Sequence, residues 1–181
     1  MSTNVIRTLK PNVSQEEAVK AFSSAGVTGL YWRMRSGPLQ RIADAYVPYY
    51  LFRVKYAGAP TRLFAIDAVD GSLDLFEFPR IPAERELLAL EGRNRLKAAL
   101  TEDRAAELLR DKVLRVIFQQ GFFRIRDARL EITPVPCELH LPYWLGFHER
   151  DGLVHCRVMD AVRRRMEGAK ASALFEQWLA A

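Results

Sequence analysis

Every cysteine and histidine of the chain falls in one short stretch, in the order Cys137, His140, His148, His155, Cys156. Thiolate and imidazole are the ligands zinc prefers. Their spacing matches none of the familiar zinc frameworks, so no metal is assigned; a buried cysteine and surface histidines are the simpler reading. Nucleophilic catalysis needs a Ser or Cys beside a His and an orienting acid. Ser14 is taken as a helix cap, and neither Ser36 nor Ser172 stands in an elbow-like context, so no catalytic residue is assigned. Glycine-rich phosphate loops are absent and no cofactor is expected. Asp67 and Asp160 hold matching places in a repeated stretch, and two carboxylates across a pseudo-twofold would suit acid–base work. Capping the turns that follow them is the simpler role.

Strands must position these groups. Leu141, Tyr143, Leu145 and Phe147 alternate, as do Val154, Cys156 and Val158. Placing both sets on one face pairs Phe147 with Val154, Leu145 with Cys156 and Tyr143 with Val158, around a loop over 149–152. The other face then carries His140, Trp144, His148, His155 and Arg157, with Trp144 opposite Arg157 for a cation–π contact. It is the most chemically varied surface in the sequence and the expected binding face.

This hairpin is the second copy of a pattern. Val47-Pro48-Tyr49-Tyr50-Leu51 is matched by Leu141-Pro142-Tyr143-Trp144-Leu145, and Ile66-Asp67-Ala68-Val69 by Met159-Asp160-Ala161-Val162. Conserved offsets with one gap in the turn indicate an internal duplication, though two copies are too few for a solenoid.

The elements around the copies read as follows. Ser14-Gln15-Glu16-Glu17 is a capping box that opens a short helix ending near Gly26. Leu30 to Arg35, aromatic and partly alternating, reads as a strand, with Ser36-Gly37-Pro38 as the turn after it. Arg41 to Tyr56 is a long strand bent at Pro48, Arg62 to Asp67 returns it, and Leu73 to Phe78 alternates cleanly. From Ala83 the leucine spacing reads as helix, renewed at the Thr101 cap and stopped by Gly121. Phe122 to Arg126 begins the second unit. A closing helix over about 161–179 buries Trp178, either in the core or against a second copy in a homodimer.

Tyr31, Trp32, Arg33 and Arg35 in one copy, and Phe123, Arg124 and Arg126 in the other, interleave aromatics with arginine. Sheets of that kind stack single-stranded bases, which gives nucleic-acid binding as the alternative function. The charge agrees only weakly with it: net +5 and pI near 9.4, but with basic residues spread through the chain instead of gathered in a tail. At 49% hydrophobic and 27% charged the 181 residues are those of an ordinary globular protein. Apolar runs are far too short for a membrane span, no secretory leader is evident and the cysteines form no disulfide framework, so a cytoplasmic location is expected.

The run Ser14 to Ala18 opening a helix, followed by strands that end in Ile66-Asp67-Ala68-Val69-Asp70-Gly71, resembles the PepSY-like group. Asp70 stands where that group usually has threonine. The resemblance implies a cystatin-like fold, a helix across an antiparallel sheet, and a binding or accessory role with no catalytic residues. The expectation is therefore an α+β protein of two related helix-plus-sheet units, 1–82 and 122–181, joined by a helical linker over 83–121 and closed by a C-terminal helix. It would bind a small molecule or a protein partner, on a sheet face or in the cleft between the units.

Overall fold

The computed structural model describes residues 5–23, 27–56, 58–91, 94–119 and 129–181. The fold is α+β. Among the described residues four helices, α1 (Gln15–Ser23), α2 (Val27–Ser36), α3 (Glu102–Gln119) and α4 (Ala169–Ala180), pack on one mixed eight-stranded sheet. The strands are β1 (Val5–Leu9), β2 (Leu39–Lys55), β3 (Arg62–Asp67), β4 (Phe76–Phe78), β5 (Leu87–Glu91), β6 (Glu131–Arg150), β7 (Leu153–Asp160) and β8 (Arg165–Met166).

Two long strands make the spine. β2 runs antiparallel to β6, with Val47 opposite Leu141 and a bulge beyond Tyr49. β3 returns along β2, and β7 along β6. The two hairpins have the same register: Tyr49 faces Asp67 in one, and Tyr143 faces Asp160 in the other. One face of the sheet buries Val47, Tyr49, Leu141, Tyr143 and Leu145 beneath α4, whose Phe175 is fully buried. The opposite face is covered by α3 at one end and by α1 at the other.

The helices cross over. In α1, Ala18 and Phe22 pack with Met159 of β7 and Trp144 of β6. In α3, Ala105, Leu109, Val113 and Ile117 pack with Phe52, Phe64 and Ile66 of β2 and β3. Each helix thus lies on the hairpin that is further from it in the chain. Matching hydrogen bonds hold the two crossings. Asn12 N donates to Ala161 O (2.7 Å) as Ala99 N donates to Ala68 O (2.8 Å). The Trp144 indole reaches Val13 O (3.0 Å) as the Tyr50 hydroxyl reaches Leu100 O (3.0 Å).

Ser14 and Glu17 form the capping box, Ser14 N donating to Glu17 (2.8 Å) and Glu17 N to Ser14 Oγ (3.2 Å). Thr101 Oγ1 accepts from Arg104 N (3.3 Å) at the start of α3.

Four local expectations are corrected. Residues 27–36 form helix α2, not a strand: Gly37, at φ +81°, is a left-handed C-terminal cap whose N–H closes the last turn on Arg33 O (3.1 Å). The linker is not helical from Ala83. A 3₁₀ turn at Glu84–Glu86 leads into β5, because the span before Gly92 is too short for a self-supporting helix while β1 offers an open edge. The second hairpin pairs Phe147 with Cys156 and Leu145 with Val158, two residues from the expected register. Asp151 (φ 53°) and Gly152 (φ 77°) make a two-residue turn between Arg150 and Leu153, and both residue types accept positive φ readily. The closing helix starts at Ala169, because Asp160 folds the following residues into a turn and Arg164 lies at φ 56°. Trp178 is half-buried, edge-on to Phe175. Among the described residues no helix is long and apolar enough to cross a membrane.

Candidate functional site

A buried arginine marks the site. Arg157 on β7 stands opposite Gly146 on β6, and the side chain is covered by α1 and α2. Glycine at 146 allows a close approach. A Cβ there would come within 2.7 Å of the Phe22 ring, so the missing side chain lets α1 sit down on the sheet. The guanidinium lies 5.8 Å from the Phe22 ring centre and 5.2 Å from that of Trp32, and it donates to Phe22 O at 3.2 Å. Arg157 is only 8% exposed, and no carboxylate pairs with it among the described residues. Burial pushes its pKa down. A buried cation without a counter-charge is costly.

Arg157 is one of the residues lining a cavity of about 380 Å³, with Trp32, His155, Cys156, Met166, Ser172 and the two acids Glu167 and Glu176. Gly168 and Ala169, where α4 begins, form part of its wall, and no side chain caps that helix end. The positive pole of the α4 dipole adds to the field of Arg157. Glu176 accepts from Cys156 N (3.3 Å), and Glu167 pairs with Arg163 and Arg165. Cys156 points to the other face, and burial pushes its thiol up to about 12. The cavity wall thus brings together a guanidinium, an indole, a helix N-terminus and two carboxylates.

The residues expected to share one face are divided. Arg157 and His155 line the cavity just described. Trp144 is committed to Val13 O and sits among the side chains around Met159, so its contact with Arg157 is made by Trp32 instead. His148 is 3% exposed, its Nδ1 at 3.1 Å from Gly37 O, and it borders a separate small cavity beneath α2. His140 is 7% exposed, with Nδ1 3.2 Å from Arg7 O. Desolvation lowers the pKa of both histidines. The face is therefore not an open surface: α1 and α2 cover most of it. No three His, Cys, Asp or Glu side chains gather into a metal-binding group among the described residues.

Of the aromatic–arginine set, Tyr31, Trp32, Arg33 and Arg35 belong to α2 and form no flat platform; Arg35 donates to the Tyr31 hydroxyl (3.1 Å). Phe123, Arg124 and Arg126 lie outside the described residues.

Asp67 and Asp160 are fully buried turn caps. Asp67 accepts from the amides of Val69, Asp70, Gly71 and Leu73, at 2.9–3.2 Å. Burial raises its pKa against the pull of those amides. Asp160 accepts from Val162 N and Arg163 N (both 2.8 Å) and pairs with the Arg163 guanidinium (2.5 Å). Between them the hydroxyls of Tyr49 and Tyr143 meet at 2.6 Å.

Sequence reasoning missed Phe22, Gly146, Met166 and Ser172. A lone glycine within a strand pattern was the available sign, since it marks a close approach of another element. Comparison with protein-family models, with curated proteins and with solved structures gives no match.

Proposed function

We propose that the chain is an internally duplicated binding module that holds a small anionic molecule, with a flat apolar part, in the Arg157 cavity. The observation that carries this reading is Arg157 itself, buried against two aromatic rings with no acid paired to it among the described residues, in the lining of a cavity of ligand size. The guanidinium is suited to a carboxylate or similar anion, and the Trp32 wall to a ring. Matching hairpin registers and matching helix contacts support the duplication. A helix laid across an antiparallel hairpin is also what the PepSY-like resemblance implies, here with the helices exchanged between hairpins.

The test is a titration with benzoate, indole-3-carboxylate and inorganic phosphate, followed by calorimetry and by tryptophan fluorescence in wild type and Trp32→Phe. Saturable binding of an aromatic carboxylate is expected, with affinity reduced by about tenfold or more in Arg157→Met, as for loss of a charge-assisted contact. Unchanged affinity in a folded Arg157→Met, or no binding by any of the three, refutes the reading.

A further inference from the structure

We infer that the outer edge of the segment 94–97 is a docking site for an extended peptide, which adds there as a strand in the way β5 adds to β1. The argument starts from two matching bridges. Thr8 of β1 is bridged in parallel to His140 of β6, and Arg95 is bridged in parallel to Tyr46 of β2. The flanking residues correspond: Leu9-Lys10 leads to Val13-Ser14 and α1, and Leu96-Lys97 leads to Leu100-Thr101 and α3.

The two segments differ on their outer sides. β1 is covered there by β5, with Leu9 opposite Leu87 and Thr8 opposite Leu88. At the other segment Tyr46 N donates to Asn94 O (2.8 Å) and Leu96 N to Tyr46 O (2.9 Å), so the N–H and C=O of Arg95 point away from β2. Among the described residues no backbone group bonds to them. Unpaired strand edges recruit strands.

Beside this edge lies a cavity of about 550 Å³ walled by Val69, Leu96, Leu174 and Trp178, with two basic residues, Arg95 and Lys97, and one acid, Asp70, also in its lining. In the covered half, Leu87 packs next to Leu9 against the main core. A residue docked opposite Leu96 has the same place to go. The partner is therefore an extended segment with a large apolar residue facing Leu96 and carboxylates toward Arg95 and Lys97. This site is separate from the Arg157 cavity and does not depend on it.

The chain contains a sequence of that chemistry, Glu84–Glu91, and a capped synthetic peptide of this sequence is the probe. Binding is followed by the change in tryptophan fluorescence, and the share contributed by Trp178 at the cavity wall is assigned with Trp178→Phe. Saturable binding is expected, weaker by about tenfold or more when the peptide amides that face Arg95 are N-methylated, and little changed when the alternate amides are methylated. Lys97→Glu weakens it about threefold or more by opposing the carboxylates. Equal binding of both methylated peptides, or no binding at millimolar peptide, overturns the proposal. Unchanged affinity in Lys97→Glu places the peptide elsewhere than beside Lys97, which also overturns it. Sedimentation of the full chain covers the remaining occupant: a dimer abolished by Arg95→Pro assigns the edge to a second copy instead.

Discussion

The two hairpins agree in register and differ in what they bury. Tyr50 faces Ile66 where Trp144 faces Met159, and Leu51 faces Ala65 where Leu145 faces Val158. At the next matching pair the likeness ends. The first hairpin sets Phe52 against Phe64, both buried under Leu109 and Val113 of α3. The second sets Gly146 against Arg157 under Phe22 of α1. One place is a closed apolar core. The other has a glycine and a charge where the first has two aromatic rings, and it opens on a cavity. The first kind of packing serves the scaffold, and the second breaks the local rule of an apolar core, which is where the proposed site is placed.

That contrast predicts unequal responses to mutation. Phe52→Ala empties a fully buried ring site and should cost about 3–5 kcal/mol. Gly146→Ala adds an atom that must displace the Phe22 ring, and should cost about 1–3 kcal/mol by overpacking. Chemical denaturation measures both. If Gly146→Ala is neutral, Phe22 is free to move and the glycine is not there for close packing.

On the axis between the halves the contrast should vanish. Tyr49 and Tyr143 are both buried and share one hydrogen bond of 2.6 Å. Changing either to Phe strands a buried hydroxyl, at a cost of about 1–3 kcal/mol, whereas changing both removes the two groups together and should cost less than the singles added. Strict additivity in a double-mutant cycle would mean that the hydroxyls have other partners.

How far the sequence shows this depends on the length of each signal. The alternating hairpin strands and the capping box at Ser14 are strong patterns, and the structure has them at the expected places. The second hairpin's register is carried by Asp151-Gly152, the turn pair with the most specific backbone demand, and the alternation of the flanking strands does not outweigh it. The correspondence of Leu9-Lys10, Val13-Ser14 and Ala18 with Leu96-Lys97, Leu100-Thr101 and Ala105 is present but short, and a helical pattern that begins at Ala83 hides it. Which helix covers which hairpin is not local information at all. Nothing in 15–23 says that it lies on β6 and β7, so the burial of His148 and Arg157 could not be read from their own strands.

Arg157→Met tests the comparison with the smallest expected effect and the most telling sign. In the first hairpin an arginine also lies near the matching place, but it stays outside: Arg62 stacks over Phe64 at 4.8 Å and pairs with Glu77 at 2.7 Å. Arg157 lies inside with no acid partner among the described residues, held by one carbonyl and two rings. Methionine keeps much of the stem and the contact with the rings while removing the desolvated charge. Against this, Phe22 O loses its donor, which offsets part of the gain. The net should be a stabilisation of about 0.5–2 kcal/mol in the unliganded protein, the range found when a functional constraint is relieved. A ligand that binds wild type should narrow or reverse the difference by mass action. A destabilised Arg157→Met would instead make the arginine part of the scaffold, and the two hairpins alike in purpose.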